Sequence, residues 1–158
     1  MGTIGYLRLV EKGNRPVMGE STETGHVGWI ELTAFDYEVR APLDPGTGTT
    51  RSRTTSGFRI AKELDRIGPL LLTHLTSNEP FTSATIEVMQ SDRADKAPKQ
   101  VWKFLFGDAR VVEIRTVRPD QFDPARQNAP QLQSVRFTFQ TVEFTRPAGG
   151  DTSRDDWR

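Results

Sequence analysis

The sequence predicts a mainly β fold, an antiparallel barrel or tight two-sheet sandwich with one short flanking α-helix. Three observations carry this. Most apolar residues fall in short alternating runs rich in Val, Ile, Phe, Tyr and Thr, as in half-buried strands. About seven or eight such runs are separated by Gly-, Pro- and Asn-containing stretches, and one segment alone has convincing helical spacing. At 158 residues the chain is long enough for one domain that buries about 68–70% of its unfolded surface without staples.

Thr3 to Glu11 reads as the first strand, turning at Lys12-Gly13-Asn14 and resuming through Val17 and Met18 before the polar stretch 20–25. The next strand runs from Trp29 to Arg40. In it Ile30 and Leu32 share one parity while Phe35, Tyr37 and Val39 share the other. A β-bulge near Thr33-Ala34 would let both sets face one core, bending the strand there. Residues 41–57, APLDPGTGTTRSRTTSG, have hardly any apolar content and form a long extended loop. Structureless loops above about 12–15 residues are uncommon in compact domains, so this one is either disordered or functional. A short strand, Phe58 to Leu64, follows.

The helix spans Pro69 to about Ser77, with proline at the first position and Leu70, Leu71, Leu72 and Leu75 as its apolar face. It ends at Asn78-Glu79-Pro80. A strand follows in which Ala84, Ile86 and Val88 alternate with Thr85, Glu87 and Met89. Two long strands complete the domain: Val101 to Val117, bent at Gly107-Asp108, and Gln133 to Thr145, with Val135, Phe137 and Phe139 facing the core. Between them, 118–131 is polar and carries Pro119, Pro124 and Pro130. The domain is expected to cover 1–146, and the tail 147–158 to lack the apolar content to order itself.

Composition narrows the function classes. Lys plus Arg and Asp plus Glu number 21 each, so no net field draws the chain to nucleic acid or anionic lipid. The absence of cysteine removes disulfides, thiol catalysis and cysteine-ligated metals. The start, MGTIGYLRLVEKGN, lacks the basic stretch and apolar run of a secretory signal, and no segment approaches a membrane span. Synthesis in the cytoplasm, without membrane insertion, is the expectation.

Catalytic chemistry finds little footing. Of the two histidines, His74 borders the apolar face of the helix and reads as a packed, half-buried ring, and His26 reads as bonded to nearby backbone. No ligand spacing is recognisable, so no metal and no cofactor are expected. Gly46-Thr47-Gly48 has no following Lys-Ser/Thr and no helix, so it reads as flexible loop rather than a phosphate cradle. Asp155-Asp156 and the run Ser91 to Lys96 read as solvated surface. Arg51 and Arg53 could bind an anion or a partner's acidic patch, although two arginines in a loop are usually just solvated.

Gly19-Glu20-Ser21 followed by Gly25-His26-Val27-Gly28-Trp29-Ile30-Glu31-Leu32 resembles the signature of the haemolysin-coregulated protein (Hcp) family of type VI secretion, a GES-type turn leading to GHxGWIEL. The resemblance continues in register. Phe58 to Asp65, then Gly68-Pro69-Leu70-Leu71, is similar to that family's strand, turn and short helix, and Phe137 to Thr145 to its closing strand. Together these span roughly residues 3–146, in an order that chance does not readily give.

The resemblance implies a β-barrel with one flanking helix that assembles into homohexameric rings stacked as a tube. Its partners would be a contractile sheath, a VgrG-like spike and effectors held in the lumen, with export by the type VI machine and no catalytic residues. Gly19, Glu20, Ser21, Gly25, His26, Gly28 and Trp29 would be structural motif positions. The loop 41–57 is expected to be mobile in an isolated subunit and to order against the next ring. Pro42 and Pro45 would limit the conformations lost on docking, Gly46 and Gly48 would permit close backbone approach, Asp44 would belong to the same stacking loop, and Arg51 and Arg53 could pair with acidic side chains across the junction. A small-ligand-binding barrel and an unrelated secreted effector are the competing readings; many large aromatic core candidates, Trp102, Phe104, Phe106, Phe137 and Phe139, argue against an empty interior.

Overall fold

The structure, a computed structural model, describes residues 3–90, 99–147 and 149–157; the run Ser91 to Lys96 lies outside them, and so does the reading made of it. In chain order the described elements are β1 (Thr3–Glu11), β2 (Arg15–Pro16), β3 (Ile30–Leu32), β4 (Ala34–Arg40), β5 (Thr54–Glu63), α1 (Gly68–Ser77), β6 (Phe81–Gln90), β7 (Lys99–Val117), β8 (Leu132–Thr138), β9 (Thr141–Arg146) and β10 (Asp151–Asp156). All strand pairings among them are antiparallel.

The 19-residue β7 organises two layers. Its first half pairs with β6 on one side and β9 on the other, in a layer that continues through β1 to β2 and β3, and through β9 to β10. Its second half pairs with β8, which leads to β5 and β4. The bend between the halves falls at the expected place: Asp108 has φ 50°, a left-handed conformation that turns the strand. The partner of a bent strand must break too. The expected strand 133–145 is accordingly two strands, interrupted at Phe139-Gln140, where the Gln140 N–H donates to the Gly107 carbonyl at 3.0 Å. The sheet does not close on itself. Among the described residues β4 pairs only with β5 and β10 only with β9, so the two-layer sandwich is the better of the two expected descriptions.

The parity change in 29–40 has a different origin from the bulge expected at Thr33-Ala34. There β3 ends in one layer and β4 begins in the other, so each run keeps its own pleat. The bulge lies further on, where Glu38 pairs with Gly57 and Val39 with Thr55, leaving Ser56 as the extra residue. Gly57 is required there: its φ is +91° and a Cβ would lie 1.9 Å from the Phe137 carbonyl oxygen.

Between the layers Phe58 stacks on Phe106 at 4.0 Å and on Phe137 at 4.8 Å. Leu7, Leu9, Ile30, Ile60, Leu71, Phe81, Ile86 and Val135 are buried around them, while Phe35 and Tyr37 close the core from β4. Aromatic rings therefore fill the interior, as expected, except that Trp102 sits half-exposed at its rim beside Phe144. On α1, Leu71 is buried, Leu70 and Leu75 pack partly, and Leu72 is exposed; His74 takes the inward position that Leu72 was expected to hold. Asn78, left-handed at φ 55°, ends the helix.

The tail corrects another expectation. Instead of lacking order, Asp151–Asp156 adds β10 to the edge of β9 through six residue pairs, and Trp157 packs against the core. Backbone pairing to an open strand edge does not require apolar side chains, so composition alone misses it.

Candidate assembly site

The long loop is shorter than the sequence suggested, 41–53, because the polar run 54–57 extends β5. It is built as a turn-tipped excursion from the end of the β4–β5 pair. Leu43 and Thr50 form an antiparallel bridge, and the Arg51 N–H donates to the Pro42 carbonyl at 2.7 Å. At the tip, Asp44 accepts from the Gly46 N–H through Oδ1 at 3.0 Å and from the Gly48 N–H through its carbonyl at 2.9 Å. These are local turn bonds of the kind Asp favours, and Gly48 takes the positive φ of 70° that they require. Leu43 is left 63% exposed.

The loop's base is held by its own chain. Arg53 Nε and Nη2 donate to the two carboxylate oxygens of Asp155 at 2.8 Å each, and Nη2 also donates to the Asp156 carbonyl at 2.8 Å. The guanidinium lies 4.4 Å from the Trp157 ring centroid, and the backbone N–H of Trp157 donates to the Gln140 carbonyl at 2.7 Å. A forked cation matched to a carboxylate and stacked on a ring is a rigid join. Arg53 is thus paired within the subunit rather than offered to a neighbour, and Asp155 is its partner rather than mere solvated surface. Sequence reasoning missed this clasp; the one signal was an aromatic residue, Trp157, in an otherwise polar tail. Asp155 also reaches Tyr37, whose hydroxyl is pushed above its ordinary value by burial first and that carboxylate second.

The signature residues form a tight double-back at the far side of β1. The Gly19 N–H donates to Gly28 at 2.7 Å, Ser21 to Trp29 at 3.0 Å and Gly28 to Ser21 at 2.9 Å. A Cβ on Gly19 would stand 2.5 Å from the Trp29 carbonyl oxygen, so the two arms approach as only glycine permits. Glu20 accepts from the Arg66 N–H at 3.2 Å, tying the turn to the approach of α1. Gly25 and Gly28 hold φ of +85° and +81°.

His26 does not bond nearby backbone with its side chain, as expected of it. Its Nε2 donates to Glu87 of β6 at 2.7 Å, and its ring stacks on Tyr6 at 4.3 Å with Trp29 edge-on at 4.9 Å. His74 is packed as expected, though more deeply: its ring stacks on Phe81 at 3.9 Å, Nδ1 donates to the Glu79 carbonyl at 2.9 Å, and Nε2 lies 3.1 Å from the Glu11 carboxylate. Buried Lys62 pairs with Asp65 at 2.7 Å, and the same carboxylate oxygen accepts from the Ile67 N–H at 3.2 Å where α1 begins. Each of these polar groups joins two elements. Among the described residues no cluster of His, Asp or Glu is placed to hold a metal ion, and no helix is long and apolar enough to cross a membrane.

The family model described as "Type VI secretion system effector, Hcp" matches residues 6–145. The chain belongs to the Hcp family. A curated relative named "Major exported protein", from Pseudomonas aeruginosa, is 30% identical over 142 residues, covering 89% of this chain and 82% of that protein. Among solved structures, one described as Hcp protein superposes with a TM-score of 0.88 at 19% identity over 99% of both chains. Hcp1 from Escherichia coli EAEC 042 gives 0.85 at 22% over 98% of both, and the secreted Hcp3 from Pseudomonas aeruginosa 0.76 at 23% over 99% of both. Like these, the chain is a β sandwich with one short helix, and its family belongs to the type VI secretion system.

Proposed function

We propose that the chain forms homohexameric rings that stack into the inner tube of a type VI secretion system. In this reading the tube carries or chaperones effectors in its lumen, lies within a contractile sheath, bears a VgrG-like spike, and leaves the cell through the same machine. The observation that carries the reading is the family match across residues 6–145; the shaped loop 41–53, standing off one end of the β4–β5 pair, supplies an element for contact between rings. Pro42, Asp44, Pro45, Gly46, Gly48 and Arg51 would form the stacking face, with Arg53 positioning it from behind.

Native mass spectrometry of the purified protein tests the ring: a hexamer is expected, and a stable monomer at high concentration overturns the reading in favour of a ligand-binding sandwich. Replacing residues 43–52 by a short Gly-Ser linker is expected to leave hexamers intact while abolishing stacked tubes in negative-stain images and secretion into the medium. Secretion that persists after deletion of the sheath would contradict the export route.

A further inference from the structure

The chain has no cysteine, so its only sulfur is in methionine. Among the described residues two methionines are placed very differently. Met89 lies within β6, half-buried and paired with Ile4 of β1 and Gln100 of β7. Met18 lies outside any strand, between β2 and the signature turn, and is 53% exposed. Its thioether is open to oxidants arriving from water.

The exposed thioether also has a structural task. A Cβ on Gly28 would lie 2.7 Å from Met18 Cε and 3.4 Å from its Sδ, so the thiomethyl group covers the bare face of that glycine. Gly28 closes the turn. It holds φ at +81°, its N–H donates to the Ser21 carbonyl at 2.9 Å, and its carbonyl accepts from the Gly19 N–H at 2.7 Å. Met18 therefore shelters the two bonds on which the double-back 19–28 depends. On its other side it lines a recess of about 310 Å³ shared with Pro16, Val17, Arg66 and Leu70. The Arg66 guanidinium has no partner among the described residues.

We propose that Met18 is an oxidation site, at which a peroxide turns the thioether into a sulfoxide and releases the signature turn from its cover. The sulfur lone pair attacks one peroxide oxygen, so that an S–O bond forms as the O–O bond breaks. Sulfur gives up two electrons, and with hydrogen peroxide the second oxygen leaves as water carrying both protons. The new oxygen is a hydrogen-bond acceptor. It finds no donor at Gly28, whose N–H is committed to Ser21, whereas Arg66 offers several across the recess. The oxidised side chain turns from the glycine toward the recess, and a polar, chiral group replaces an apolar one. Sulfoxide reductases reverse the change, so the turn is loosened rather than lost. This chemistry needs only the single chain, whatever assembly it joins.

Hydrogen peroxide treatment of the folded chain, followed by peptide mass mapping, is expected to add oxygen to Met18 several-fold faster than to Met89, and at equal rates in urea. In the oxidised chain the Gly19 and Gly28 amides are expected to exchange hydrogen about fourfold faster than in the parent, the scale on which one buried CH₂ group contributes, while those of β7 keep their rates. Met18→Gln places a polar side chain there without any oxidant and is expected to reproduce the faster exchange. Met18→Leu, apolar and inert to peroxide, is expected to keep the parent's rates after treatment. Sulfoxide reductases of both epimer specificities with dithiothreitol are expected to restore the oxidised parent. If Met89 gains oxygen as fast as Met18 in the folded chain, the site assignment is overturned. Oxidation of Met18 that leaves the Gly19 and Gly28 amides at parental rates overturns the release of the turn.

Discussion

Removing the Arg53 guanidinium would strip two bonds to Asp155, one to the Asp156 carbonyl and the contact on Trp157 from a single point at the loop's base. The site is partly open to water, where ion pairs contribute about 0.2–1 kcal/mol and cation–ring contacts about 0.5–1 kcal/mol. Arg53→Ala is therefore expected to lower the unfolding free energy by about 1–2 kcal/mol. Arg53→Lys should recover only part of this, since an ammonium cannot match both carboxylate oxygens. Urea melts measure both, and a variant as stable as the parent would show the clasp to be energetically idle. Glu113 gives a second test at this scale. Its carboxyl is held below the ordinary value of 4.5 by the Arg59 hydrogen bond first and the Arg59 charge second; desolvation opposes them, and the charges of Arg136 and Arg115 add smaller lowering effects. A depressed carboxylate stabilises the fold above its unfolded value and loses that contribution as pH falls through its folded one. Glu113→Gln should therefore flatten the stability profile below about pH 4.5 and leave its shape above unchanged; identical acid melts for parent and variant would refute this.

At the scale of elements, β10 is the piece on which the loop depends. Deleting residues 151–158 removes Asp155, Asp156 and Trp157 together while leaving both layers of the core, so the fold should survive with a loosened loop. Trypsin should then cut after Arg51 and Arg53 faster than in the parent, and equal cleavage rates would mean that the local bonds of 42–51 hold the loop unaided. Why β10 escaped the sequence reading is physical: its six residues are polar, and it exists because β9 presents an edge. What was legible had local causes, such as alternation in β1 and β6, proline opening α1, and Gly107-Asp108 bending β7. The layer change at Thr33 mimicked a bulge because both shift the inward parity by one residue. The side-chain partners of His26 and Arg53 were illegible because they lie 61 and 102 residues away, a separation on which periodicity says nothing.

At the scale of the whole molecule, the loop 41–53 leaves the β4–β5 pair at one end only, and this polarity would give the proposed stack a defined up and down. The strand that spans both layers has a consequence of another kind. Because β7 lends one half to each layer, neither layer can open without exposing the ladder of the other: β6 and β9 would lose their shared neighbour along with β8. The molecule should therefore come apart in one step rather than layer by layer. Hydrogen exchange reads this directly, since the slowest amides of β6 and of β5 should report the same opening free energy, and two separate values would mean that the bend at Asp108 acts as a seam. A chain with no weaker half has no partly unfolded state to visit, which spares it the exposed strand edges through which such states aggregate.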